Sequence, residues 1–469
     1  MDNAPQRGPR PRPEPPPGPP PEPPRGPPPG PPPEPPPTRP EQRHGPDPAQ
    51  PPRRRELTRA HPLRARLPLA LAGRAAWARS VRARLPQVRS PRIGPLRPGA
   101  FSPNLHDERT TSFVGVALGT CFFVAFVTGV FSHLLQHPPS WLPLLTRPVW
   151  VYRLTQGLHV ATGLAAIPLF AAKLWTVYPK LFSWPPLRSL AHALERASIA
   201  VLVAGAAFEL VTGLLNTVHW YAWQFPFTAA HYWVAWVTVG ALLTHLGVKA
   251  PAIARSLRRG GAVTAVTAAG KPSAVSRRFF LTMTGAAVGV VTLTTVGQSV
   301  TSLRGLALLA PRDPRDGPQH VPINRTAAQA RVTAAAMDPS WRLSVRGPRP
   351  YQLTLAALAA MPQHRARLPI ACVEGWSVDA DWTGVRVRDL LDLACVPRSA
   401  AIFVVSLERS GTYSYSRMER QYARDPLTLL ALRLNGAPLS VDHGYPARII
   451  APGRPGVLQT KWVHLIEVA

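Results

Sequence analysis

Residues 112–135 have the sequence SFVGVALGTCFFVAFVTGVFSHLL, a run of 24 residues without a single Asp, Glu, Lys or Arg. At a rise of ~1.5 Å per residue, a helix of this length crosses the ~30 Å hydrocarbon core of a bilayer. Three further apolar stretches follow at about 154–178, 195–218 and 228–248, and a fifth, richer in Gly, Thr and Val, lies at 279–303. The sequence therefore predicts an all-α transmembrane bundle of four helices over residues 110–250, with a fifth helix as an anchor.

Two charged side chains interrupt these stretches. Lys173 lies in the second and Glu209 in the third. A charge at such a depth is costly, and it normally faces the interior of the helical domain or reaches towards the membrane surface. We therefore expect both side chains to have partners on neighbouring helices.

The loops between the apolar stretches differ in charge. The 179–194 and 249–278 loops are basic, whereas the 219–227 loop, HWYAWQFPF, is aromatic and has no charged residue. Cytoplasmic loops carry an excess of Lys and Arg, and aromatic residues collect at the membrane interfaces. We therefore expect a multi-pass protein of the cell membrane, with a cytoplasmic N-terminus and a basic cytoplasmic linker at 251–278. Everything after about residue 304 is then extracytoplasmic.

The first 100 residues differ in composition from the rest of the chain. The whole chain carries 54 Lys and Arg against 24 Asp and Glu, and 26 of its 59 prolines lie in residues 1–52. Such sequence cannot bury enough apolar surface to fold. We expect residues 1–100 to form a disordered Pro/Arg-rich cytoplasmic tail. No nucleic-acid-binding motif accompanies the arginines, so the sequence predicts no nucleic-acid partner.

A short basic motif precedes the fifth apolar stretch, with the sequence Ser276-Arg277-Arg278-Phe279-Phe280-Leu281. It resembles the S-R-R-x-F-L core of the twin-arginine signal, which directs the export of folded domains. The alternative is that both arginines are ordinary cytoplasmic flanking charges. Because no small-residue cleavage site follows, residues 276–303 are expected to act as the signal and to remain as an anchor helix.

Histidines recur in and beside the predicted spans. His231 and His245 are 14 residues apart on the fourth helix, so they lie within about 40° of each other around its axis and ~21 Å apart along it. One helix face therefore presents an imidazole near each membrane surface, as two stacked haems require, and imidazole is a ligand of haem iron. His159 is expected at the depth of His231, and this pair is predicted to hold an outer haem b. His133 and His219 are alternative outer ligands.

The spacing of the histidines leaves open whether the chain binds a second, inner haem. It would use His245, but the second-helix position that would match it holds Lys173 instead of His. His192, at the inner start of the third helix, is the candidate partner for His245. We therefore expect one or two haems b. In architecture and His placement, the four-helix segment resembles the bis-histidyl membrane cytochromes b.

Residues 320–469 have a different character. Short runs of β-forming residues (402–405, 447–450 and 463–468) are separated by Gly and Pro turns, and helical periodicity is brief, as at 387–393. The sequence predicts a single α+β, strand-rich domain. The three cysteines of the chain, Cys121, Cys372 and Cys395, show neither disulfide-scaffold nor zinc spacing. Cys395 follows a Leu390-Leu391 pair and is expected in the core.

Cys372 stands in a distinctive segment, LPIACVEGWS, at residues 368–377. Further along come HGYPARIIAPG at 443–453 and Lys461-Trp462. Together these segments resemble the molybdopterin-binding domain of the sulfite oxidase fold, and most closely the periplasmic methionine-sulfoxide reductase catalytic subunits. The resemblance implies that Cys372 is the catalytic thiolate ligand of molybdenum. The alternative is a buried cysteine that acts as a small apolar residue.

The same resemblance implies which residues contact the pterin and its phosphate: Asn324, Arg325, His443, Arg448 and Lys461. Arg and Lys side chains suit a phosphate group. His443 stands where the methionine-sulfoxide reductases have Asn, and it can still donate a hydrogen bond.

These segments together predict a membrane-bound, molybdopterin-dependent oxidoreductase. Electrons would pass between the membrane quinone pool, haem b and an extracytoplasmic molybdenum site, and the substrate would be a small S-oxide or N-oxide. Two alternatives belong to other classes. One is a metal-free pterin-fold domain that acts as a binding or sensory module, and the other is a scaffold protein that functions through its basic arm.

Overall fold

Long apolar helices make up the first part of the fold, because the uncharged stretches are bounded by residues that cap helices. In the computed structural model, the described residues are 106–139, 141–142, 146–181, 189–258, 276–313, 316–411 and 414–469. The predicted tail at 1–100 and most of the predicted 251–278 linker lie outside them. The five long helices are α1 Glu108–Gln136, α2 Val151–Leu181, α3 Leu190–Thr217, α4 Phe227–Arg258 and α5 Arg277–Val296.

Polar residues set the first turns of several of these helices. The Asp107 side chain accepts a hydrogen bond from the Thr110 amide at the start of α1, and Ser276 accepts one from the Phe279 amide at the start of α5. Such caps satisfy amides that have no partner within the helix. All five helices are long and apolar enough to cross a membrane, judged by length and composition.

The helices pack side by side, with α1 against α2 and α4, α3 against α2 and α4, and α5 against α2. Lys173 and Glu209, which the sequence places deep in the apolar stretches, have partners on neighbouring helices, as expected. Lys173 Nζ donates to the Thr111 carbonyl of α1 at 2.8 Å, and the buried Glu209 lies beside His231 of α4.

Strands dominate the second part. They are β1 Arg342–Arg346, β2 Tyr351–Thr354, β3 His364–Ala371, β4 Ser377–Arg386, β5 Ile402–Ser406, β6 Tyr415–Met418, β7 Leu429–Leu434, β8 Ala437–Pro438, β9 Arg448–Ile450 and β10 Val463–Val468. Short helices lie between them: α6 Thr333–Ala336, α7 Leu355–Ala360, α8 Val387–Leu393 and α9 Arg420–Ala423.

The strands form two five-stranded sheets. One has the order β2-β1-β10-β5-β6, with β1 and β10 parallel; the other has the order β3-β4-β7-β8, with β9 paired to β7. Burial alternates along strands such as β5, where Ile402 and Val404 are fully buried and Phe403 is not. The apolar faces of the strands enclose the core. This arrangement is the α+β, strand-rich domain predicted from the sequence.

One cysteine is not where the sequence predicts. Cys395 is exposed, not part of the core. It follows the end of α8 with a φ of 54°, and this left-handed turn directs its side chain to solvent although its neighbours Ala394 and Val396 are buried.

Candidate functional site

Cys372 occupies the turn of the hairpin that joins β3 to β4. Its amide donates to the Trp376 carbonyl at 2.9 Å, and the Gly375 amide donates to the Cys372 carbonyl at 3.1 Å. Gly375 has a φ of 95°, and a Cβ atom there would lie 2.7 Å from a methyl group of Val160 in α2. Glycine is therefore required both by the turn and by the close approach of the turn to the helix.

The Cys372 thiol is buried and surrounded by hydrogen-bond donors. Asn324 Nδ2 lies 2.6 Å from Sγ, and the Glu374 amide nitrogen lies 3.4 Å from it. The Trp376 indole donates to both Asn324 Oδ1 and Glu374 Oε2, so it fixes the two side chains that flank the sulfur. Donors directed at sulfur suit a thiolate better than a thiol.

Burial acts in the opposite direction on this sulfur. Burial, and then the neighbouring Glu374 carboxylate, raise the pKa of the Cys372 thiol to about 12. A thiolate at this position therefore needs a further positive charge, which a metal ion supplies. Among the described residues, no group of three or more His, Cys, Asp and Glu side chains could hold a metal.

The other predicted cofactor contacts form one continuous cluster with Cys372. Arg325 follows Asn324, and its carbonyl accepts a hydrogen bond from Lys461 Nζ at 2.5 Å. Gly444 fits between Lys461 and Arg448, because a Cβ atom there would lie about 3 Å from the Cβ atoms of both residues. The structure therefore brings together all the residues that the sequence predicted for the pterin and its phosphate.

The cations of this cluster are not fully paired. Arg448 is buried, donates to the His443 carbonyl at 3.1 Å, and has an Nε atom without a hydrogen-bond partner among the described residues. Burial, and then Arg448, lower the pKa of Lys461 to about 7 and that of His443 to about 4. Depressed pKa values and unpaired donors indicate positive charge that lacks an anionic partner, and the phosphate of a pterin cofactor fits this need.

Other residues at the site had no role assigned from the sequence. Glu374 is buried, and burial raises the pKa of its carboxyl group to about 7 although Arg312 lies 3.7 Å away. Arg454 is buried with its guanidinium hydrogen-bonded to the Leu458 and Arg417 carbonyls. Glu374 lies inside the segment that carries Cys372, and Arg454 directly follows the segment 443–453; these positions are the signal that could have identified them.

The turn that carries Cys372 also contacts the long helices. The Val373 carbonyl accepts hydrogen bonds from Gln156 of α2 at 2.9 Å and from Asn216 of α3 at 3.3 Å. The Ser299 hydroxyl, just after α5, donates to the Gly375 carbonyl. The backbone next to the predicted metal ligand is thus held by polar groups from three helical segments.

Ion pairs join the same two parts of the chain. Arg153 of α2 donates to Ser377 at 2.8 Å and to Asp379 at 2.6 Å. Arg147 forms two hydrogen bonds with the buried Asp425 carboxylate, at 2.9 and 3.1 Å. These contacts fix the position of the strand-rich domain relative to α2.

A cavity of about 290 Å³ lies among α1, α2, α3 and α4. Both predicted outer ligands, His159 and His231, line it, with ring centroids 6.1 Å apart. His159 Nδ1 lies 2.8 Å from the Ala125 carbonyl, and His231 Nδ1 lies 2.9 Å from Thr212 Oγ1. Because each Nδ1 atom has a hydrogen-bond partner, Nε2 is the nitrogen of each ring that remains available to a metal.

The remaining histidines are arranged differently. His133 lines the cavity but stacks on Tyr232, with ring centroids 3.6 Å apart. His219 lies 3.4 Å from Glu374 and is not among the cavity-lining residues described. No ring contact between His192 and His245 is found in the described part of the chain, and both lie near Glu195 instead. The structure therefore brings the outer pair together, and His192 and His245 share Glu195 as a neighbour.

Comparison with known proteins defines the class of the strand-rich domain. Residues 329–469 match the family described as oxidoreductase molybdopterin binding domain. Residues 329–469 of the chain are therefore similar to molybdopterin-binding domains of oxidoreductases. Asn324 and Arg325 lie just before the matched residues, and the long helices lie outside them.

Particular relatives agree with this class. The chain is 31% identical over 130 residues to the uncharacterized oxidoreductase YuiH of Bacillus subtilis, covering 27% of this chain and 64% of that protein. It is 34% identical over 113 residues to sulfite oxidase of Arabidopsis thaliana, covering 20% of this chain and 28% of that protein. It is 28% identical over 145 residues to the protein-methionine-sulfoxide reductase catalytic subunit MsrP of Campylobacter jejuni, covering 27% of this chain and 48% of that protein. The chain thus spans less than two thirds of the length of each relative.

Proposed function

We propose that the chain is a membrane-bound molybdenum oxidoreductase that passes electrons between the membrane quinone pool, a haem b and a molybdopterin centre at Cys372. Its long helices would cross the cell membrane, and the strand-rich domain would be extracytoplasmic. The substrate would be a small S-oxide or N-oxide, whose reduction consumes two electrons and two protons and releases water. One relative is named a methionine-sulfoxide reductase subunit, which supports this substrate class.

One observation carries the proposal: Val373 lines the cavity that holds His159 and His231, and Cys372 is the residue before it in the chain. His159 and His231 would hold a haem in this cavity, and Cys372 would hold the metal on the other side of the Val373 peptide unit. When bound, haem supplies one-electron transfer and molybdopterin supplies oxygen-atom transfer.

The roles of the residues follow from their contacts. Asn324 and the Glu374 amide hold the Cys372 thiolate. Arg448 and Lys461 neutralise the phosphate of the cofactor. Gln156 and Asn216 fix the Val373 backbone between the two sites.

The test is metal analysis and optical spectroscopy of the purified full chain, with three variants. Cys372→Ser should lose molybdenum and S-oxide reduction but keep a dithionite-reducible b-type band. His159→Leu should lose the b-type band and quinol-driven turnover but keep molybdenum and turnover with an artificial electron donor. Cys395→Ser, an exposed cysteine in the same domain, is the matched control and should behave as wild type.

Two outcomes would contradict the proposal. A wild-type protein without molybdenum and without a b-type band would refute it. A Cys372→Ser protein with undiminished function would favour a metal-free binding or sensory module instead.

A further inference from the structure

Glu209 is a buried carboxylate within α3, and its side chain is 9% exposed. Acidic groups at such a depth are rare and costly, and they mark functional positions. Its Oε2 atom lies 3.1 Å from His231 Nδ1, while Oε1 has no hydrogen-bond partner among the described residues. Among the described residues, the polar contact of the Glu209 carboxyl group is thus with His231, one of the two imidazoles that line the cavity.

The position of the proton on the His231 ring follows from its contact with a neighbouring hydroxyl group. Thr212 Oγ1 lies 2.7 Å from the Phe208 carbonyl, which can only accept, so the Thr212 proton is directed there. Thr212 Oγ1 must therefore accept from His231 Nδ1, which lies 2.9 Å away. His231 then carries its proton on Nδ1, directed at Thr212, with Glu209 Oε2 3.1 Å away, and its Nε2 atom has a free lone pair.

The second cavity imidazole has a different partner. His159 Nδ1 donates to the Ala125 carbonyl at 2.8 Å, and Thr128 Oγ1 lies 3.5 Å away. These are neutral groups. The two imidazoles therefore have different surroundings: a hydroxyl group and a nearby Glu209 carboxyl group for His231, and a peptide carbonyl for His159.

We propose that Glu209 is a positioning residue that orients His231 as a haem ligand and lowers the reduction potential of the haem. A carboxylate 3.1 Å from the Nδ1 atom of a ligating imidazole makes the imidazole a stronger electron donor, which favours the oxidised iron. The assignment rests on the proposed function, since it presupposes that His159 and His231 bind haem. It explains why a buried acid stands at residue 209, which the proposed function alone does not.

Redox titration of the haem band in the purified full chain tests this assignment. Glu209→Gln keeps an acceptor oxygen at the same place but removes the charge, so haem content and the bis-imidazole spectrum should be retained. The equilibrium between oxidised and reduced haem should shift about tenfold towards the reduced form, which is about 59 mV for a one-electron couple. Thr128→Val, beside the other imidazole, is the matched control and should leave the midpoint unchanged.

Each outcome decides between the alternatives. A Glu209→Gln protein with bound haem and a wild-type midpoint would overturn the role of Glu209 but leave the proposed function intact. A wild-type protein without haem would instead refute the haem part of the proposed function. If Glu209→Gln binds no haem, Glu209→Asp decides: a raised midpoint supports the assignment, because the shorter side chain places the carboxylate farther from His231, and an unchanged midpoint overturns it.

Discussion

Single residues show where folding and function make opposite demands, and Lys461 is the clearest case. Its ammonium group donates to the carbonyls of Arg325 and Asp442, but Arg448 lies in the same cluster. Burial, and then Arg448, lower the pKa of Lys461 to about 7. A group that loses its proton on folding destabilises the folded state wherever the unfolded chain would keep that proton.

We therefore expect the contribution of Lys461 to the stability of the cofactor-free protein to become more favourable as the pH rises from 7 to 10. In this range the unfolded chain holds a proton on Lys461 that the folded chain has released, so the free energy of unfolding increases with pH. The gain should be about 3 kcal/mol, after allowance for partial solvent exposure. Denaturant unfolding of the wild type and of Lys461→Met, followed by tryptophan fluorescence, measures the difference. Equal pH slopes in the two proteins would contradict this expectation.

At the same scale, the sequence predicts which residues form the candidate site but not the contacts that support it. Cys372 and its expected cofactor partners could be proposed from their residue types and flanking motif, and the structure places them close together. Gln156 and Asn216 could not, because their role is to hydrogen-bond the Val373 carbonyl, 217 and 157 residues away in the chain. No local pattern specifies such a distant partner.

Among the elements, the long helices were predicted well and their ends less well. An uncharged run of sufficient length has few alternatives to a helix, so all five were found. The helices extend past the apolar stretches; α4, for example, continues to Arg258, ten residues beyond the predicted end at 248. Polar residues continue a helix readily where its end leaves the apolar environment, and hydropathy does not detect this extension.

The helix α2 has a second role, because its N-terminal turns carry the contacts with the strand-rich domain. Arg153 reaches Ser377 and Asp379, while Gln156 and Val160 meet the hairpin turn. These residues lie three or four positions apart and therefore share one face of the helix.

Arg153→Met should therefore lower the free energy of unfolding by about 1 to 2 kcal/mol, because it removes two charge-assisted hydrogen bonds in a half-buried setting. The matched control is Arg346→Met, which breaks a pair with Glu467 at 3.4 Å in which Arg346 is 66% exposed. It should cost less than about 0.5 kcal/mol. A double-mutant cycle of Arg153 with Asp379 isolates their interaction, and a coupling energy near zero would contradict the assigned role.

For the whole molecule, the order of segments in the sequence predicts a protein whose C-terminal domain must be exported. Ser276 of the Arg-Arg motif caps α5, and Arg277 lies 3.9 Å from Asp107, so the motif also contributes to the fold. If the motif contributed only positive charge, lysine would serve equally well at both positions. The twin-arginine export machinery, in contrast, requires the arginines. Conservative replacement therefore separates the two roles.

The Arg277→Lys/Arg278→Lys variant should keep the domain in the cytoplasm. The exposed Cys395 reports its location, since a membrane-impermeant maleimide should label it in intact cells of the wild type but only after lysis in the variant. The control variant Arg255→Lys/Arg258→Lys retains the motif and should be labelled as the wild type is. Labelling of both variants in intact cells would contradict a twin-arginine route.

The contact between Gly375 and Val160 has a consequence for protein engineering. The five residues between β3 and β4 both carry the thiol and fit against α2, where even one additional methyl group would collide. A chimera that joins these helices to the catalytic domain of a relative would have to retain this turn with its length unchanged. The recombination boundary between the two modules therefore lies inside the hairpin and not in the segment that links them along the chain.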